Sequence, residues 1–333
     1  MFVIDTGFKR VGAVALGSGG TVAAEKGAAP LAAGLSTIFS MSDEERAKLV
    51  EDAGWDAKLW TSPDADPVRD GDGDDIPFGL AIDPRTVQLV HGCSYGFVRW
   101  TDRTELEVPG GPLRVFALSP DGKRLMCGCE WIRASTPRRH DIRSRLVGFA
   151  RAGKRKVWTQ SVIRESDGFE FTHLAFFADS QRFASVEWSK KRHGRDFARG
   201  DVPTLTVRDS KTLAALDEVA FTQPADELAV CGEVLVIRGA NSFRVWSAAD
   251  LSEKPVEVKA GRATLATLAA DVHGRSLFTA SGSKVTRWDV GSWKAADTYD
   301  WQIGPITCLA VSPDGLTAAA GSATGKVVVW DVG

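Results

Sequence analysis

Apolar and polar residues alternate over short stretches along most of the chain. At the C-terminal end, Gly304-Pro305-Ile306-Thr307-Cys308-Leu309-Ala310-Val311 alternates as a strand does, because successive side chains of a strand point to opposite faces. Ser312-Pro313-Asp314-Gly315 follows, with Pro and Gly where a tight reversal needs them. Leu316 to Ala320 predicts a second strand, Gly321 to Gly325 another turn, and Lys326 to Asp331 a third strand ending in Trp-Asp. The same unit stands upstream as Thr264 to Ala270, the turn Asp271-Val272-His273-Gly274, Ser276 to Ala280, and Val285 to Asp289.

The units keep step. Trp288 and Trp330 are 42 residues apart, and Phe243-Arg244-Val245-Trp246 ends a third-strand segment 42 residues earlier. Leu205 to Asp209 sits 38 residues before that, with Arg208 in the Trp place, and Trp60 and Trp100 are 40 apart. Between Trp100 and Arg208 lies an expanded unit with Ser119-Pro120-Asp121-Gly122 and a third strand near Leu146 to Phe149. A period of about 40 residues with four short strands is that of a propeller blade.

Trp288-Asp289, Trp330-Asp331, the two Ser-Pro-Asp-Gly turns and this spacing make the chain resemble the WD40-repeat family, in a degenerate, bacterial-type form. The resemblance implies an all-β, seven-bladed β-propeller over residues 1–333 as a single domain. Radial stacking lets each sheet bury both faces, and a third-strand Trp (Trp60, Trp100, Trp246, Trp288, Trp330) supplies a large apolar wedge between sheets. Gly333 follows the last third strand directly, so a fourth strand is missing there. Phe2-Val3-Ile4-Asp5 is predicted to supply it and lock the ring, since an unpaired edge is a liability. No Gly-His precedes any first strand, and Thr324 stands where the family often has Asp. The hydrogen-bond network that those residues serve is therefore not assigned, and packing is expected to carry more of the stability.

Function is sought where the repeat is interrupted. Insertions at about 27–54, 132–144 and 189–203 fall between second and third strands, connections that open on one face of a propeller, the top. In the first, Ser42-Asp43-Glu44-Glu45 is a capping box, and Leu49, Val50 and Ala53 predict a short helix stopped by Gly54. The other two are basic. Arg138, Arg139 and Arg143 belong to one, and Lys190, Lys191, Arg192 and Arg195 to the next. Arg133, Arg145, Arg151, Lys154 and Arg155 extend the first group. A merged positive patch suits an acidic protein partner, with nucleic acid or another polyanion as the alternative. The acidic segment 43–75 is a competing, internal counterpart, and a solvated loop surface is the plain reading.

A net charge of −2 argues against a uniformly basic nucleic-acid binder. The five Cys contain no Cys-x-x-Cys pair, so neither zinc nor a disulfide framework is expected. A reducing, cytoplasmic setting fits them. No apolar run reaches membrane-spanning length. Lys9-Arg10 before Val11 to Leu16 imitates a signal peptide, but this short, Gly-broken run reads as a first strand. Asp70 to Asp75 begins like a calcium loop, yet Asp75 and Ala81 stand where Gly and Glu are needed. His91, His140, His173, His193 and His273 form no recognised catalytic or metal motif. No catalytic residue, cofactor or metal is assigned. The reading is a non-enzymatic interaction scaffold.

Overall fold

The structure, a computed structural model, describes residues 1–16, 22–26, 57–60, 68–70, 77–86, 88–93, 96–100, 102, 104–136, 139–151, 158–166, 168, 170–193, 196–222 and 225–332. Alternating apolar residues and tight turns produce antiparallel sheets throughout. The chain begins with β1 (Phe2–Asp5), which joins none of the strands that follow it directly. The first blade is β2 (Val11–Leu16), β3 (Val22–Lys26), β4 (Ala57–Trp60) and β5 (Val68–Asp70). The second is β6 (Pro77–Ile82), β7 (Leu89–Cys93), β8 (Phe97–Trp100) and β9 (Glu105–Glu107). The third is β10 (Leu113–Leu118), β11 (Arg124–Thr136), β12 (Arg139–Arg151) and β13 (Trp158–Ser166). The fourth is β14 (Glu170–Phe176), β15 (Arg182–His193), β16 (Asp196–Asp209) and β17 (Ala215–Ala220). The fifth is β18 (Glu227–Cys231), β19 (Val234–Arg238), β20 (Ser242–Ser247) and β21 (Val256–Lys259). The sixth is β22 (Thr267–Ala270), β23 (Ser276–Ser281), β24 (Lys284–Asp289) and β25 (Ala295–Asp300). A closing sheet combines β26 (Ile306–Val311), β27 (Thr317–Ser322) and β28 (Lys326–Asp331) with β1. First strands lie beside first strands around the axis, and β26 returns to β2.

The reading as a seven-bladed propeller with a short helical insertion is corrected on two points. Six blades are built from four consecutive strands, and the remaining sheet is a composite of both chain ends. Among the described residues there is no helix. The helix predicted from Ser42 falls outside the described residues.

Closure is held by more than backbone pairing. β1 runs antiparallel to β28 with Phe2 opposite Val329 and Asp5 opposite Lys326. The Thr6 hydroxyl donates to the Gly325 carbonyl at 2.6 Å and accepts from the Phe8 amide at 3.0 Å. Gly325 has φ 82°, and any Cβ there would run into the Phe8 carbonyl. Glycine is the residue that takes this conformation without strain. Ile4 and Phe8 then pack with Val327 and Val329 and with Val11, Val14 and Val22 of the first blade.

Apolar clusters of this kind sit between neighbouring blades. Trp288 meets Phe243 of the fifth blade edge-on at 5.1 Å, and Trp330 meets Phe278 of the sixth at 5.8 Å. These are favourable geometries for ring pairs. Trp288 Nε1 also donates to Thr279 Oγ1 at 2.8 Å, so one leg of a third-to-second-strand hydrogen bond is present. Arg208 occupies the matching place in the fourth blade and donates through Nε to Ser185 at 3.0 Å. Phe183 pairs with Arg208 as Leu277 pairs with Trp288, and each hydroxyl lies two residues further along. In the closing sheet that place is Ala320, and the buried Trp330 Nε1 has no partner. A tilted ring contact with Trp301 at 4.5 Å offsets that cost. Thr324 donates instead to the Ile303 carbonyl at 2.5 Å.

Ile4→Ala removes a buried wedge where the two chain ends meet. A loss of about 2–4 kcal/mol is expected, read as a lower midpoint in urea unfolding with the slope unchanged.

Candidate functional site

The two basic segments form long strands. β11 and β12 are each 13 residues, and β15 and β16 are 12 and 14, whereas β27 and β28 are 6. At 3.3 Å per residue the extra length is roughly 20 Å of hairpin. β10 pairs with β11 only as far as Cys129, and β13 pairs with β12 only from Ser144. Past those residues the two strands pair only with each other, down to Thr136 opposite Arg139. In the next blade, β14 stops at Trp188 and β17 begins at Thr204. β15 and β16 continue as a ribbon to His193 opposite Asp196. Among the described residues, both extensions are thus two-stranded ribbons with no further strand paired to their edges.

Their bases are clamped together. The Ser144 hydroxyl of the third blade donates to the Glu187 carboxylate of the fourth, and the Ser144 amide donates to the Gly168 carbonyl at 3.2 Å. A side chain at Gly168 would collide with Glu187. Gly200, at the bulge where the second ribbon leaves its blade, lies against Ser189.

Arg139 and Arg143 lie on β12, and Lys190, Lys191 and Arg192 on β15. Arg138 and Arg195 fall outside the described residues, as does segment 43–75 apart from residues 57–60 and 68–70. Two arginines that the sequence adds to the patch serve elsewhere. Arg145 pairs with Glu165 at 2.8 Å. Arg151 is buried, with Nη2 2.8 Å from Asp83 Oδ2 and its guanidinium 4.3 Å above the Trp158 ring.

Of the repeat residues, Trp246, Trp288 and Trp330 are buried, Asp289 and Asp331 are exposed, and Trp60 closes β4. Trp100 is one position out of step. It pairs with Val90, the residue that matches Phe278, whereas Trp288 pairs with Leu277. A one-residue slip reverses the face, and Trp100 points to the third blade, 5.8 Å from Trp158. Its Nε1 donates to Asp83 at 3.2 Å. Asp83, wholly buried, therefore gathers Trp100 from its own blade and Arg151 from the next. Nothing in the local sequence joins residues 68 positions apart, so this lock was not legible.

An axial cavity of about 300 Å³ is lined by Val14, Leu80, Ile82, Leu118, Val311 and neighbours. Its polar groups are turn hydroxyls already engaged. Ser119 donates to Asp121 at 2.7 Å and Ser312 to Asp314 at 2.6 Å. Burial of Asp314 opposes ionisation, but bonds from Ser312 and the Leu316 amide outweigh it and hold its pKa below the usual range. His91 is buried within β7, and burial followed by the charge of Arg99 lowers its pKa to about 4. Among the described residues no group of three or more His, Cys, Asp or Glu is placed to hold a metal.

Comparison with known proteins agrees with this architecture. Residues 297–331 match the family described as WD domain, G-beta repeat. Serine-threonine kinase receptor-associated protein of Homo sapiens is 27% identical over 135 residues, 39% of this chain and 37% of that protein. The Mus musculus protein is 28% identical over the same span. The chain thus spans well under half the length of the curated relatives it matches. A chain in the "Crystal Structure of Mitotic Checkpoint Complex" superposes with TM-score 0.64 at 14% identity, covering 100% of this chain and 95% of that one. At that identity the likeness is one of fold.

Two outcomes follow. Arg151→Met strands the Asp83 carboxylate and is expected to cost about 3–5 kcal/mol, partly recovered in the double variant with Asp83→Leu, which removes the charge but leaves the Trp100 N–H without its acceptor; urea unfolding of both checks this. His91 is neutral in the folded state to about pH 4, while the unfolded chain takes its proton near 6.5. Its contribution is therefore complete above pH 6.5 and falls by about 3 kcal/mol as pH drops to 4. Unfolding of His91→Gln against the native chain across that range is expected to show a flatter acid limb.

Proposed function

We propose that this WD40-repeat propeller is a non-catalytic protein-interaction module, a single domain that engages an acidic protein partner on the face carrying its second-to-third-strand connections. The observation that supports it most is the pair of extended hairpins on adjacent blades, tied at their bases through Ser144 and Glu187. Basic residues some fifty positions apart in the sequence belong to these two neighbouring hairpins. Arg138, Arg139, Arg143, Lys190, Lys191, Arg192 and Arg195 are the residues assigned to contact the partner. A basic surface raises the encounter rate with an acidic one and sets orientation.

The fold and the WD-repeat relatives support a scaffold role in general terms, and the degenerate repeats fit a bacterial-type member. Among the described residues, Cys127, Cys129, Cys231 and Cys308 are buried thiols outside any disulfide, which suits a reducing, cytoplasmic setting. No helix among the described residues is long and apolar enough to cross a membrane.

Charge reversal of Arg139, Arg143, Lys190, Lys191 and Arg192 to Glu is expected to reduce partner recovery roughly tenfold or more, since rim charges act chiefly on association rate. Affinity capture from the native cell, with nuclease-treated and untreated arms, measures it. Unchanged recovery removes the hairpins from the account, and recovery lost on nuclease treatment turns it to nucleic acid.

A further inference from the structure

The ribbon formed by β15 and β16 has a feature that charge alone does not explain. His193 opposite Asp196 leaves two residues in the connection. In such a hairpin the closing pair exchanges both backbone hydrogen bonds, and the next pair faces outward. The N–H and C=O groups of Phe197 and Arg199 on β16 are therefore directed away from the ribbon, as are those of Arg192 and Lys190 on β15. β17 pairs with β16 only from Thr204, so the β16 edge over residues 196–199 continues the line of β17 and, among the described residues, has no strand beside it.

We infer that this edge accepts an extended acidic polypeptide segment as an added strand. The inference rests on the hairpins being the partner-binding element. Strand addition draws affinity from main-chain hydrogen bonds and selectivity from side chains at alternate positions. Here the edge and its ribbon carry Lys190, Lys191, Arg192 and Arg199 against Asp196 and, nearer the blade, Asp201. Like charges directly opposite one another across strands destabilise, and opposite charges stabilise. A second copy of this cationic edge is thus disfavoured, and an acidic strand is selected. Duplex nucleic acid would meet the charges but leave the outward backbone groups of Phe197 and Arg199 unpaired.

The test uses the full chain and a fluorescein-labelled alternating Glu-Val peptide, read by anisotropy. A version N-methylated at every second residue keeps the charge and blocks one hydrogen-bonding edge. Phe197→Pro removes the outward N–H while sparing the bonds within the hairpin. Weakening of roughly tenfold is expected both for the methylated peptide and for Phe197→Pro. Hydrogen exchange of the native chain is expected to slow at residues 196–199 when the plain peptide binds, a readout that holds even where the proline variant disturbs the ribbon. Equal binding of plain and methylated peptides, or binding without slowed exchange, would overturn strand addition. So would a short DNA duplex binding tighter than the peptide. Partner capture that depends on the hairpins, with no peptide binding, overturns this inference while leaving the proposed function standing.

Discussion

A propeller sheet is buried on both faces only when the ring is complete, and here completion falls on four residues at the start of the chain. β26 to β28 have no fourth strand of their own. β1 covers the edge of β28, and Thr6, Phe8 and Gly325 hold the chain as it turns toward the first blade. The same residues feed a core shared with Val11, Val14 and Val22. Loss of that contact would expose the closing sheet and the first blade together, which is why the ring is expected to act as a cooperative whole and not as a row of independent repeats. The hairpin extensions depend on it in turn, because their spacing is set by the blades that bear them.

Between the blades, the chemistry varies more than the architecture. The sixth blade uses Trp288 with Thr279, and the fourth uses Arg208 with Ser185 for the same third-to-second-strand bond. The closing sheet does without it and relies on Trp301 and Phe278 around Trp330. Between the second and third blades, Asp83 and Arg151 with two Trp rings take over. Buried ion pairs are weak evidence for stability against apolar packing, but removing one partner is costly. Degenerate repeats thus keep a constant interface by substituting one kind of contact for another.

Much of this was legible. The turn Ser312-Pro313-Asp314-Gly315, the alternation on either side of it and the 42-residue spacing of Trp residues give strand positions and blade period directly. The missing last strand pointed to Phe2–Asp5, where β1 lies. Trp100 was misleading because a Trp at a strand end looks the same in either register, and only the pairing of Val90 reveals the slip. The hairpins were legible as basic insertions but not as ribbons. Charges at consecutive positions such as Lys190-Lys191-Arg192 mask the period of two that identifies a strand. Asp83 with Arg151, and Ser144 with Glu187, join different blades, and no local pattern records such contacts.

Everything placed on the hairpins presupposes the closed ring, so the most direct test concerns β1. Amide exchange of residues 3–5 can be followed alongside that of β28. If the N-terminal strand closes the ring, both strands exchange together, at the slow rate of global unfolding seen for inner strands such as β2. Exchange of residues 3–5 within seconds, with β28 still protected, would show the first residues to be a free tail and would contradict the account.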